Sequence, residues 1–241
     1  MKKETTGAES KETGGENCEI RSDFLRCGRY VDRFWHFGMP EGWPAYQATY
    51  SEINKRLWLE LEQGIVSLDE LGVERFSRLF SAHKLSYDAV AFNEEFLANL
   101  AQETPLIQGA QEVCSSLAGC RLAIISNGFA EVQKARIAAS PLRHAFEQLI
   151  ISQEAGFQKP DARIFDYAFS KLQVTDKSKV LIVGDSLTSD IRGGHNYGID
   201  TCWFNPKGKE NQLGIKPTYE IRDLTHLLEL VRLTADERLP I

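Results

Sequence analysis

Between about Tyr30 and Leu100 apolar residues recur every three or four positions, the period of a helix that buries one face. Ile53, Leu57 and Leu61 share such a face, and Gly64 follows as a stop. Ser67-Leu68-Asp69-Glu70 has the spacing of a capping box, in which a serine hydroxyl and a glutamate satisfy each other's end of the first helical turn. It opens a second helix with Leu68, Leu71, Phe76, Leu79 and Phe80 on its apolar face. Phe92, Phe96 and Leu100 repeat the spacing in a third. Residues 30–103 therefore read as an all-helical unit.

The period then changes. RLAIIS (121–126), QLIIS (148–152), KVLIVGD (179–185) and TCWFN (201–205) are short apolar runs bounded by turn residues, with helical stretches near 130–139, 161–172 and 187–197 between them. Continuous apolar strands that alternate with helices predict an α/β fold, a parallel sheet covered on both faces, over residues 104–241. TYEI (218–221) adds a further strand before a closing helix near 223–232. The leader MKKETTGAESKETGGENCE is polar and aperiodic, so residues 1–29 read as disordered or aberrant.

Charge and composition narrow the function. Against 34 Asp+Glu stand 28 Lys+Arg, a net charge of -6, which disfavours a nucleic-acid polymer as partner. No apolar stretch approaches the length of a membrane span, and the first residues lack the apolar centre of a secretion signal. The five cysteines (Cys18, Cys27, Cys114, Cys120, Cys202) form no CxxC pair and read as reduced thiols, which suits a cytoplasmic protein. The five histidines are scattered without ligand spacing.

In a parallel α/β sheet, ligands bind beyond the carboxyl ends of the strands. Three segments converge there. Ser126, Asn127 and Gly128 end one strand, where a hydroxyl and successive N–H groups suit a phosphate; a serine opening an ordinary turn has the same sequence. Lys159, before Pro160, can reach the same crevice or remain a solvated loop lysine. Asp185 ends the apolar run VLIVG, a place suited to a hard ion such as Mg²⁺, and Asp190 follows close enough to support Asp185, Lys159 or a metal-bound water. As plain structure, Asp185 would sit in a turn and Asp190 on a helix surface.

Taken in order, IISNGF, the lysine-proline of KPDARIFDYA and VGDSLTSDIRGG resemble motifs II, III and IV of the haloacid dehalogenase superfamily. With GRYVDRFWHF and TCWFN, the chain is similar to the branch of pyrimidine 5′-nucleotidases that dephosphorylate nucleoside monophosphates, noncanonical ones included. The resemblance spans roughly residues 30–232. It implies a Rossmann-like core under a helical cap and a Mg²⁺-dependent phosphohydrolase working through an aspartyl-phosphate. It also implies that Ser126 and the Asn127 backbone bind the phosphoryl group. Lys159 would stabilise phosphate and nucleophile, Asp185 bind Mg²⁺, and Asp190 support that site. Cap residues around Tyr46–Trp58 would help choose the base.

One part of the pattern is missing. The superfamily's first motif is a strand ending in DxDxT or DxDxV, which supplies nucleophile and general acid. Asp23 and Asp32 are the early aspartates; SDFLRC has no second acid two residues on, and Asp32 belongs to the cap-like portion. The first core strand is thus expected to be absent, leaving an open strand edge for a partner or at a cost in stability. Activity is expected to be nearly lost, since phosphate monoesters need accelerations of up to roughly 10²¹-fold. Two readings remain: a nucleotidase with an altered N-terminus, and a pseudophosphatase that binds phosphate or nucleotide without turnover. A dehalogenase fits less well because GDSxxxD is the phosphatase-type metal motif. A nicotinamide-binding protein is disfavoured because no GxGxxG follows a strand. Neither the preferred base nor the choice between monomer and homodimer is fixed by the sequence.

Overall fold

Six short strands build the scaffold: β1 (Cys18–Arg21), β2 (Arg121–Ser126), β3 (Gln148–Ile151), β4 (Val180–Gly184), β5 (Asp200–Phe204) and β6 (Tyr219–Ile221). The computed structural model of the chain describes residues 18–21, 43–117 and 119–236, with backbone alone for 18–21, 43–45 and 233–236. All neighbouring strands run parallel, in the order β3-β2-β1-β4-β5-β6. The reversal of connection around β1 is the switch point at which such sheets open a crevice.

Both faces of the sheet are covered, which is why β2 and β4 read as continuous apolar runs rather than alternating ones. Ala123, Ile125, Val180 and Ile182 point to one side. There they meet Ile164, Phe165, Ala168, Phe169 and Leu172 of helix α7 (Ala162–Leu172). Leu122, Val183 and Cys202 point to the other side, toward Val113 and Cys114 of α4 (Ala110–Ser116) and Leu227 of α9 (His226–Asp236). This is the α/β Rossmann-like core that the alternation predicts.

The centre of the sheet corrects the sequence reading. Its first core strand was expected to be absent, yet β1 occupies the central slot, with Cys18 opposite Arg121 and Val180, and Arg21 opposite Ile124 and Val183. No open edge is left between β2 and β4. The segment escaped notice because CEIR holds a single aliphatic residue, Ile20, between two charged ones inside a polar leader. Backbone pairing on two sides defines such a strand, and hydropathy does not report it.

Three helices precede the core: α1 (Trp43–Glu62), α2 (Leu68–Ala82) and α3 (Ala89–Leu100). Tyr50, Phe76, Phe80 and Phe96 pack together, and Leu57, Leu61 and Leu71 form a second contact. Gly64, with φ +72, turns the chain out of α1. The capping box forms as read: the Ser67 hydroxyl accepts from Glu70 N at 3.2 Å, and the Glu70 carboxylate accepts from Ser67 N at 2.7 Å. Val132 of α5 (Ala130–Ala139) joins the aromatic cluster and links these helices to the core. No helix among the described residues is long and apolar enough to cross a membrane.

The helix expected near 187–197 is divided. Leu187–Ile191 form a widened π turn, and α8 follows at Arg192–Tyr197. The α8 backbone lies almost on the sheet: a β-carbon at Gly194 would come within 2.5 Å of Ile182 Cγ2 and 2.7 Å of Thr201 Cγ2. Overpacking of this kind costs typically about 1–3 kcal/mol. Gly194→Ala should therefore lower the urea unfolding midpoint by that equivalent. Gly119→Ala, where nothing lies within 4 Å, should leave it within about 0.5 kcal/mol.

Candidate active site

Asn127 past the end of β2, Asp185 and Asp190 past the end of β4, and Lys159 line one cavity of about 550 Å³ beneath α1, whereas Ser126 does not. At the end of β2, Ser126 is fully buried and its hydroxyl accepts the Gly128 N–H at 3.1 Å. The cavity wall there is made by Asn127 and Gly128. Ser126 thus holds the turn together from behind.

Asn127 has a second task. Its Nδ2 donates to the Lys159 carbonyl and its Oδ1 accepts from Lys159 N, both at 2.9 Å. This two-way clamp fastens the 157–160 segment, whose Lys159–Pro160 peptide is cis, to the tip of β2. The Lys159 side chain runs under the strand ends, 3% exposed, and its ammonium donates to the Ile125 carbonyl.

Asp190 Oδ1 lies 2.8 Å from Lys159 Nζ, with both side chains buried. That oxygen makes no directed hydrogen bond, so the contact is ionic. The other carboxylate oxygen accepts the Ser186 N–H at 3.1 Å. The inward turn of Asp190 accompanies the widened Leu187–Ile191 turn, and Gly184 makes room for it. A β-carbon at Gly184 would stand 2.3 Å from the Asp190 carboxylate. Asp185, one residue past the strand, is exposed toward the cavity, and its carbonyl accepts from Trp203 Nε1 at 3.2 Å.

Among the described residues no cluster of three or more His, Cys, Asp or Glu forms a ready metal cage. Two carboxylates at one strand tip nevertheless suit Mg²⁺, which characteristically takes one or two carboxylates and completes its shell with water and substrate oxygen. Asp185, open to the cavity, fits a direct ligand better than Asp190, whose charge already faces Lys159. No histidine lines the cavity among the described residues.

Further residues complete the enclosure, Gln47, Asn54 and Trp58 among them from the Tyr46–Trp58 stretch named in the sequence reading. Gln47, Asn54, Trp58 and Glu62 descend from α1, and Arg75, Gln133 and Arg136 close the sides. Asn54, Trp58 and Glu62 recur at four-residue spacing, a signal legible beforehand, one position away from the apolar Ile53-Leu57-Leu61 face. Arg75 is buried, with its guanidinium 4.6 Å from the Phe96 ring centroid and Nη2 donating to Asn93 Oδ1 at 2.8 Å. Burial pushes the Glu62 carboxyl above its ordinary value of 4.5; a hydrogen bond with Thr188 opposes that shift, and the Asp190 charge adds to it. Beyond Glu62 lies a wider groove of about 620 Å³, lined by Ser152, Gln158 and Arg163 among others, which Lys159, Asp185 and Asp190 do not reach.

A family model for haloacid dehalogenase-like hydrolases matches residues 27–198. The chain belongs to that family. Among haloacid dehalogenase-like relatives, the pyrimidine 5′-nucleotidase YjjG of Escherichia coli strain K12 is 36% identical over 76% of this chain and 80% of its own. The pyrimidine 5′-nucleotidase PynA of Streptococcus pneumoniae is 38% identical over 77% of this chain and 79% of its own. The crystal structure of the HAD-hydrolase YfnB of Bacillus subtilis, bound to magnesium and described as revealing interdomain movement, superposes with a TM-score of 0.81. It is 32% identical and covers 89% of this chain and 97% of that one.

Two outcomes follow from the electrostatics. Lys159→Met and Asp190→Leu each strand a buried charge and should destabilise by about 3–5 kcal/mol, whereas the double variant should cost much less than their sum. A double-mutant cycle by urea unfolding measures this. Glu62, with its folded pKa raised, is held more easily as the neutral acid. Its favourable contribution is present below pH 4.5 and is lost as pH rises through the raised value. Glu62→Gln should therefore stabilise the protein at pH 7 and make no difference below about pH 4 in thermal melts.

Proposed function

We propose that the cavity is the phosphate-ester site of a Mg²⁺-dependent phosphohydrolase of the cytoplasm acting on nucleoside 5′-monophosphates, with the helices of residues 30–103 as its cap and residues 104–241 as its core. The observation that carries this reading is the buried Lys159–Asp190 pair, which fixes a cation at the floor of a cavity whose rim bears Asp185. An ammonium has three donors. The Ile125 carbonyl takes one and Asp190 faces another, so one remains for a phosphoryl oxygen. The Gly128 N–H is already engaged by Ser126, so at the floor of the cavity the phosphate would be met chiefly by Lys159. Asp185 would hold Mg²⁺, with Asp190 in support; when bound, the ion neutralises charge on the phosphoryl oxygens. The likeness to YjjG and PynA supports a nucleoside monophosphate as the ester.

The early aspartates Asp23 and Asp32 lie outside the described residues. Counting along the strands offers one of them as nucleophile. Arg21 pairs with Ile124 and Val183, and two residues beyond those partners stand Ser126 and Asp185. Two residues beyond Arg21 in the sequence stands Asp23, and two beyond that stands Leu25, where the superfamily pattern has its general acid. A chain with a nucleophile and no acid cleaves only esters whose leaving group departs without a proton. A second reading, a pseudophosphatase that binds without turnover, rests on the absent DxDxT pattern.

Phosphate release from UMP and from p-nitrophenyl phosphate, with Mg²⁺ present, tests both. Slow hydrolysis of p-nitrophenyl phosphate is expected, at least about 10²-fold faster relative to background than that of UMP, reflecting the missing acid. Asp23→Asn should abolish it. No release from either substrate, together with UMP binding that Lys159→Met removes, would establish the pseudophosphatase. Absence of both release and binding would overturn the site.

A further inference from the structure

Two carboxamides line the cavity with hydrogen-bonding capacity that the fold does not use. Gln133, on the core helix α5, is 8% exposed, and its side chain makes no hydrogen bond among the described residues. It lies directly over the Ser126-Asn127-Gly128 turn: a β-carbon on Gly128 would be 2.6 Å from Gln133 Nε2. Asn54, on α1, faces the same cavity from the other wall, and its Oδ1 is buried without a partner. Burying an amide and leaving it unpaired is unfavourable, and native folds rarely do so without a reason. One such oxygen on α1, and on α5 a glutamine amide without a hydrogen bond among the described residues, point to a ligand that completes both.

The surroundings narrow the ligand. Trp58 and Phe129 line the same space and offer apolar ring faces. A flat heterocycle can lie against such faces while its edge is hydrogen-bonded. A carboxamide carries an acceptor and donors side by side, the complement of a ring edge on which a carbonyl adjoins an N–H. A sugar phosphate alone presents hydroxyls and no flat face.

We propose that Gln133 and Asn54 are specificity-determining residues that read the amide edge of a pyrimidine base, so that the cavity selects nucleoside monophosphates over sugar phosphates. This rests on the phosphate-ester reading above. Gln133 approaches the ligand from the phosphate side, Asn54 from α1, and the base lies between them against Trp58. A site built to hydrogen-bond a group discriminates strongly against an analogue that lacks it, because its own polar atoms are then left unpaired.

Calorimetric titration of the full-length chain with Mg²⁺ present, using UMP, ribose 5-phosphate and N3-methyl-UMP, tests the assignment. UMP should bind about 10- to 100-fold more tightly than ribose 5-phosphate, the range of one or two well-placed hydrogen bonds. N3-methyl-UMP, which blocks the ring N–H, should lose most of that advantage. Gln133→Met and Asn54→Leu should each shrink the ratio of the two affinities to within a few-fold, with thermal melts confirming that the variants fold. Equal affinity of the wild-type chain for UMP and ribose 5-phosphate would overturn the inference and leave the phosphate reading standing. So would undiminished selectivity in folded variants. Failure of every ligand to bind would remove both. The comparison of UMP with N3-methyl-UMP and ribose 5-phosphate is made on the wild-type chain, so a variant that does not fold leaves the assignment still open to refutation.

Discussion

A lysine ammonium buried against an aspartate, with a strand carbonyl as its other partner, is the constraint around which this site is arranged. Removing two charges from water is costly, and the cost is recovered only where geometry holds them together. Each element near the cavity serves that requirement. The Asn127 carboxamide grips the Lys159 backbone from two directions. The end of β2 supplies the Ile125 carbonyl, and the widened turn after β4 swings Asp190 inward over Gly184, where no other residue fits. The pair thus ties two strand tips and one loop into a single rigid floor. Rigidity there holds the ammonium at one position below the cavity.

The α1 side is fastened differently. Gln158 donates to the Leu61 carbonyl, and Glu62 reaches the turn that carries Thr188, so the end of α1 is anchored beside the floor of the site. Both contacts come from single side chains, and one of them is a carboxylate in surroundings that favour its neutral form. Such an attachment is weaker than the packed clusters on either side of it.

How much of this was legible in the sequence depended on how each feature is encoded. RLAIIS and VLIVG were legible because both their faces are covered, so every position is apolar. Ser67 and Glu70 were legible because a capping box is local. Order and resemblance placed Lys159, Asp185 and Asp190 at one crevice; the structure brings the three to one cavity and pairs Lys159 with Asp190. CEIR was not legible, because a central strand of four residues is specified by its neighbours' backbones. The widened turn at Leu187–Ile191 was missed because the inward pull on Asp190 comes from a lysine distant in sequence. Gln133 could not be singled out at all: one glutamine in an ordinary helix acquires meaning only when the turn it covers is known.

The position of β1 carries a consequence for how the chain comes together. The strand at the middle of the sheet is contributed by residues 18–21, while its two neighbours are Arg121–Ser126 and Val180–Gly184. During synthesis the earliest of these three strands to emerge must therefore wait for residues 121–126 before it can pair at all, and for residues 180–184 before both its edges are paired. The flanks in turn cannot join each other without excluding it. Contacts so remote in sequence are slow to form, because a long loop must close before any hydrogen bond rewards it. The three-helix unit, whose contacts are local, can assemble long before. Only when β4 joins are both edges of β1 paired, and only then are the tips of β2 and β4 held in register across it.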